Sequence, residues 1–242
     1  MSFASAVQYL VDNEETHLNL GGNNIGVEGA TAIATVLPRN TTLTRLNICY
    51  NNIGNEGVTA LATALHGNTT LTRLKLGGNN VGDDGATALA TALHFNLTLI
   101  SLDLGFNYIR NRGATALATA LHVNMTLTSL HLWVNIIGND GATALATALQ
   151  MNTTLTSLDL YGNHIHDEGA KRTIDTALRR NVRLYMDMFW QPARHGDFPP
   201  GVHDLIFTTL MCNDAVGEKK LPRLPLVVWQ QVFSFYYRKI FL

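Results

Sequence analysis

A glycine recurs every 28 residues through most of this chain, at Gly29, Gly57, Gly85, Gly113, Gly141 and Gly169, and an asparagine keeps the same step at Asn23, Asn51, Asn79, Asn107, Asn135 and Asn163. Six registers align without a gap. A fixed period of this length decides architecture before local propensity does. A unit so short cannot bury its apolar face alone and must stack on its neighbours.

Each unit carries two patterns. In LTRLKLGGNNVGDDGATALATALHFN, residues 71–96, Leu71, Leu74, Leu76, Asn79 and Val81 form a short alternating run and a turn-rich loop, which predicts a strand. After Gly85, the residues Ala86, Leu89, Ala90 and Leu93 fall at i, i+3, i+4 and i+7, the stripe of a helix buried along one side. Thr87 and Thr91 take the opposite face, and the small Ala88 and Ala92 let neighbouring helices approach. Asp83 and Asp84, like Glu28, Glu56, Asp140 and Glu168 in their own units, suit the positive start of that helix.

The pattern L-x-x-L-x-L-x-x-N-x-I-G followed by GATALATAL resembles the leucine-rich repeat of ribonuclease-inhibitor type from about Leu18 to Asn181. The resemblance implies an α/β solenoid, a horseshoe with a parallel β-sheet on the concave face and helices on the convex face. Packing physics agrees, since strands stack at about 4.8 Å and helices need roughly 10 Å each, which bends the array toward its strands.

The ends depart from the period, as terminal units of a stack should. Residues 1–17 read as an N-terminal cap in which Phe3, Val7, Leu10 and Val11 begin a helix. Residues 18–190 read as the solenoid, six full repeats plus a partial seventh whose strand is expected at Leu184, Met186 and Met188. Pro192, Pro199 and Pro200 then mark a boundary. Residues 191–242 read as a helical C-terminal cap or docking tail, too apolar at Val227, Val228, Val232, Phe233, Phe235, Tyr236 and Phe241 to stay solvated.

Charge separates the same two parts. Residues 1–170 hold 6 basic and 12 acidic residues and the remainder 11 and 6, within a whole-chain balance of −1 that argues against a nucleic-acid or membrane-surface polycation. A basic tail seeks an acidic partner or docks on its own acidic solenoid. No apolar run is long enough to cross a membrane, no signal peptide is evident at the start, and two cysteines make no disulfide framework. The expectation is a cytoplasmic chain from a reducing compartment.

In a stack of strands, the positions between core leucines face the concave surface, so their variation carries the ligand information. One such column runs His17, Arg45, Arg73, Ser101, Ser129, Ser157 and Tyr185, and the next runs Asn19, Asn47, Lys75, Asp103, His131, Asp159 and Asp187. A third runs Gly21, Cys49, Gly77, Gly105, Trp133, Tyr161 and Phe189. The early units are basic and the late ones aromatic. Aromatic anchors ringed by polar groups are the usual centre of a protein interface. Trp133, Tyr161, His131, Asp159, Tyr185 and Asp187 are therefore the expected partner-binding centre, with Arg45, Arg73 and Lys75 as a second patch for acidic groups. The alternative is that the tail folds over the aromatic residues or that they complete the packing of the cap.

Other candidates read as structural. The N-x-[ST] triplets at Asn40, Asn68, Asn96, Asn124 and Asn152 are by-products of the repeat, and their asparagines should bond backbone groups between helix and strand. His66, His94 and His122 recur too far apart to share a metal and should sit near helix C-termini. His164, His166, Asp167 and Glu168 make a better metal cluster, yet they occupy a loop that varies in every unit. Arg110 and Arg112 interrupt the loop pattern, and the scaffold resembles the leucine-rich activators of the small GTPase Ran, which act on nucleotide hydrolysis, so that resemblance gives an exposed loop arginine a meaning. No phosphate loop, zinc-protease or serine-hydrolase motif is present.

In the tail, FPPGVHDLIFTTL (198–210) and LPRLPLVVWQQVFSFYY (221–237) resemble the opening helix of an F-box, and the second also resembles the end of a SOCS box. Those families imply a ubiquitin-ligase component as partner of 198–242. The reading is a non-enzymatic protein-binding module without cofactor, nucleic-acid or membrane partner. A ubiquitin-ligase substrate adaptor and a Ran-type GTPase activator are the alternatives.

Overall fold

A computed structural model describes residues 3–13 and 15–189. Strand and helix alternate from the start: α1 (Phe3–Asp12), β1 (His17–Asn19), α2 (Gly26–Val36), β2 (Arg45–Asn47), α3 (Gly54–Leu65), β3 (Arg73–Lys75) and α4 (Asp83–Phe95). They continue as β4 (Ser101–Asp103), α5 (Asn111–Val123), β5 (Ser129–His131), α6 (Asn139–Met151), β6 (Ser157–Asp159) and α7 (Glu168–Phe189). The strands make one parallel sheet in the order β1-β2-β3-β4-β5-β6. Its register repeats the sequence period, with Leu18 beside Leu46, Leu74 beside Leu102 and Leu102 beside Leu130. The leucine-rich repeat solenoid is thus the observed architecture.

The core is the space between sheet and helices. Leu71, Leu74, Leu76 and Val81 enter it from the strand side, and Ala86, Leu89 and Leu93 from the helix side, all buried. Each unit repeats this set, so burial is continuous from Leu10 of α1 to Ile174 and Ala177 of α7. Val11, by contrast, is exposed.

Two asparagine ladders tie the turns together. In the strand-to-helix loops, Asn79 Nδ2 donates to the Ile48 carbonyl one repeat back (2.8 Å), while its Oδ1 accepts from Asn51 N (2.9 Å). In the helix-to-strand loops, Asn124 Nδ2 donates to Leu93 O (2.7 Å) and Asn96 O (3.1 Å), and its Oδ1 accepts from Leu127 N (2.8 Å). This second ladder comprises Asn40, Asn68, Asn96, Asn124 and Asn152, none more than 4% exposed. The structural role expected for these triplets is therefore observed. A buried polar side chain is tolerated only when bonded, and a primary amide offers both donors and acceptors to successive turns.

The expected seventh strand is not formed. Leu184, Met186 and Met188 lie within α7, which runs on to Phe189. The reason is visible at residue 180, where the ladder position holds arginine. An asparagine there accepts two backbone N–H groups, as Asn152 does from Thr154 and Leu155 (3.0 and 2.8 Å), and so turns the chain into the next strand. A guanidinium has no acceptor, and the helix continues. Tyr185, Asp187 and Phe189 consequently belong to a helix and not to the sheet.

No helix among the described residues is long and apolar enough to cross a membrane. The tail expectations for 191–242 lie outside the described residues.

Candidate protein-interaction surface

The strand face is built by residues that alternate with the buried leucines. Arg45 and Arg73 are directly opposed on β2 and β3, and Lys75 stands between Asn47 and Asp103. Among the described residues these three cations form no salt bridge. Arg45 and Arg73, like charges held side by side, raise the local positive potential at this end of the sheet, which suits an acidic ligand, while Asp103 adjoins Lys75.

Farther along the sheet, His131 and Asp159 are opposed on β5 and β6. His131 Nε2 lies 3.1 Å from Ser129 Oγ. Asp159 already has a structural role, because its Oδ1 accepts from Tyr161 N at 2.9 Å. Asn19, Asn47 and Asp103 make the same bond to Gly21, Cys49 and Gly105. The polar column therefore shapes the turn that follows each strand, with Lys75 and His131 as its departures.

Trp133 follows β5 and packs edge-on against Phe106, with ring centroids 4.2 Å apart and planes at 69°. Phe106 in turn lies 6.2 Å from Tyr50. The three rings make a continuous ridge along the loops after β2 to β5. Two glycines leave it room: the Trp133 indole lies over Gly105, and the Tyr50 ring lies over Gly78, where any Cβ would collide with it. Tyr50 and Phe106 hold φ values of 57° and 53°. Bulky residues in that left-handed region cost roughly 1–2 kcal/mol each, so the ridge is held against a backbone preference. Glycine occupies the same register at Gly22, Gly78 and Gly162. That substitution of aromatic for glycine was the sequence signal for Tyr50 and Phe106, which the strand columns alone do not reveal.

Tyr161 stands at the end of this face with 81% of its surface exposed. Tyr185 and Asp187, expected beside it, are carried on α7. Cys49 lies half-buried under the early part of the surface, and burial pushes its thiol pKa up.

The other candidates fall into structural places. His94 and His122 occupy the last turns of α4 and α5, and His66 caps α3 with Nδ1 3.1 Å from the Ala62 carbonyl. Among the described residues no three His, Cys, Asp or Glu side chains converge as metal ligands. Asp167 Oδ1 instead accepts from Gly169 N and Ala170 N (2.8 and 3.1 Å), capping α7. Arg112 pairs with Asp84 and lies 4.0 Å from Asp83, both in the preceding unit.

The sequence profile of the family described as Leucine Rich repeat matches residues 16–34, 39–62, 67–90, 95–118, 123–146 and 152–172. Among solved structures, the chain is similar to Leiomodin-1 Actin-Binding Site 2, with 25% identity and a TM-score of 0.59 over 81% of this chain and 99% of that one. It also shares its fold with a tropomodulin C-terminal domain of Caenorhabditis elegans, with 14% identity and a TM-score of 0.54 over 78% of this chain and 99% of that one. No curated protein matches the sequence significantly.

Proposed function

The chain belongs to the leucine-rich repeat family, and on that premise we propose that it is a non-enzymatic module that seats a protein partner on the concave, strand-bearing face. The 28-residue unit supports the ribonuclease-inhibitor subtype, with residues 1–17 capping its first turn.

The observation that carries the reading is the ridge Tyr50–Phe106–Trp133. Its rings are packed on one another before any partner arrives, so little side-chain entropy is lost on binding. Large rigid aromatics at the centre of a patch are what dominates interface energy. Tyr161, His131 and Asp159 extend this contact toward β6. Arg45, Arg73 and Lys75 receive acidic groups at the other end.

The leiomodin-1 domain is named as an actin-binding site, which makes actin the first partner to try. Calorimetric titration of the full chain with monomeric actin, followed by affinity capture from extract when no heat is seen, compares wild type with the Trp133→Ala/Tyr161→Ala pair. Loss of the captured protein from the pair supports the strand face. Equal recovery removes it.

A further inference from the structure

A second surface, independent of the strand face, lies on the edge made by the helix-to-strand loops. We infer that this edge is a self-association surface on which a second copy of the chain docks about a twofold axis.

The residues that flank the buried ladder asparagines must point outward. Phe95 and Leu97 flank Asn96, Val123 and Met125 flank Asn124, and Met151 precedes Asn152. The ladder bonds from Asn124 to Asn96 O (3.1 Å) and from Asn152 to Asn124 O (3.0 Å) lay these turns side by side. All five side chains are exposed, from 45% for Val123 to 70% for Leu97, and Ile100, three residues after Leu97, is exposed as well. The same registers in other units hold Arg39 and Gly67, or Thr41, Thr69 and Thr153, and the counterparts of Ile100 are Thr16, Thr44, Thr72, Thr128 and Thr156. Apolar residues are thus concentrated in adjoining turns where the repeat otherwise supplies small or polar ones.

The size of the patch fits this use. At roughly 200 Å² for a large side chain, the exposed fractions amount to about 650 Å², above the ~300–600 Å² of the largest patch on a typical monomer. A standard interface takes about 800 Å² from each partner, rim included.

The occupant follows from charge. The turns 67–72, 95–100, 123–128 and 151–156 contain no Asp, Glu, Lys or Arg. Arg180 borders the patch at its Met151 end, bonded to Gln150 O and Asn152 O; the turns themselves carry no charge, so they offer little to steer a charged partner and meet a copy of themselves without like-charge repulsion. Twofold pairing is self-complementary by construction. An axis through the Val123–Met125 turn places Phe95 of one copy against Met151 of the other. Phe95 is held for that contact between the rings of His66 and His94, at centroid distances of 5.5 and 5.0 Å.

The test is sedimentation equilibrium of the full chain at about 100 μM, with Leu97→Thr/Met125→Thr and Phe95→Arg as variants. Threonine is the residue that other units place there and leaves the fold intact; the unfolding temperature of each variant verifies this. The expected result is a wild-type dimer that both variants weaken more than tenfold. A monomeric wild type, or a dimer indifferent to the threonine variant, overturns the inference. So does a monomer that instead co-sediments with phosphatidylcholine vesicles, which would assign the patch to a lipid surface.

Discussion

Arg180 stands 28 residues after Asn152 and takes over the donating half of that residue's role, its guanidinium bonding to Leu149 O (2.8 Å) and Asn152 O (2.7 Å). Asn152 takes the equivalent carbonyls of Leu121 and Asn124, one repeat earlier, at 2.7 and 3.0 Å. The arginine adds a bond to Gln150 O (2.8 Å) and two to Asn181 Oδ1. It closes the second ladder by donating without accepting. Arg180→Ala should cost about 2 kcal/mol, chiefly from unpairing the part-buried Leu149 O, since Asn152 O keeps Asn181 Nδ2 as a donor at 2.9 Å. Arg180→Lys should recover less than half of that, because an ammonium lacks the fork that reaches several carbonyls at once. Urea unfolding of the two variants decides it; a lysine variant as stable as wild type would show that charge alone suffices.

Within the ladder the cost is larger. Asn124→Ala would orphan Leu93 O, Thr126 N and Leu127 N together in a buried turn. At 1–3 kcal/mol for an unsatisfied buried group with partial relaxation, the loss should be about 3 kcal/mol. Asn124→Asp should be no better, since a carboxylate supplies acceptors but not the Nδ2 donor. Equal stability of either variant with wild type would contradict a structural role for the triplet.

The indole of Trp133 depends on the absence of a side chain at residue 105. Gly105→Ala should swing the ring off Phe106 and into water, because the added Cβ occupies the place of the indole. In a chain with Trp190→Phe and Trp229→Phe, the emission maximum should shift to the red and partner affinity should fall, with little change in unfolding midpoint. An unshifted spectrum would mean that the ring is not seated on Gly105.

The stack was legible because its physics repeats. Six chances to see Leu74, Asn79 and Gly85 in register make helix, strand and core almost inescapable. At the N-terminal end the helix expected from Phe3 onward forms as α1, but at the other end Leu184, Met186 and Met188 alternate like a strand while the change from ladder asparagine to Arg180 removes the turn. On the strand face, Trp133 and Tyr161 were visible because they interrupt a column of small residues. Tyr50 and Phe106 were missed because their column is set by a left-handed backbone angle, which side-chain alternation does not report. Phe95 and Leu97 were missed for the reverse reason. They flank an asparagine read as structural, and the outward direction of its neighbours follows only once that asparagine is known to be buried.

Cys49 should be a sluggish thiol. Burial disfavours the thiolate and raises the pKa by more than the Gly77 backbone hydrogen bond lowers it, and the smaller effects of Asp103 and Lys75 oppose each other. Because only the thiolate attacks, reaction with a disulfide reagent at neutral pH should be slower than that of a free cysteine. The rate should climb at a higher pH. The measurement needs Cys212→Ser so that one thiol is followed; a pH midpoint at or below that of glutathione would contradict the burial.

The periodic glycine gives a prediction in which one register has two outcomes. A Cβ on Gly141 would lie 2.8 Å from Ile137 Cγ2, 3.0 Å from Ala114 Cβ and 3.0 Å from Asn111 Oδ1. That oxygen already accepts from Gly138 N and Gly141 N (2.7 and 3.2 Å), so it caps α6 from the preceding helix. Adding a methyl there separates α5 from α6 and strains the cap together, and overpacking of this kind costs about 1–3 kcal/mol. Gly169 holds the same register in α7, but its added Cβ would meet only Asp167 Oδ1, at 3.0 Å. Asp167 is a cap of the same helix on an exposed loop and can shift by a few tenths of an ångström. The better helix propensity of alanine, up to ~1 kcal/mol over glycine, then offsets the crowding. Gly141→Ala should lose about 2 kcal/mol and Gly169→Ala should stay within about 0.5 kcal/mol of wild type. Parallel urea unfolding of the pair separates the explanations. Equal losses would mean that this glycine serves the loop before each helix, whereas a loss confined to Gly141 means that it serves the contact between neighbouring helices.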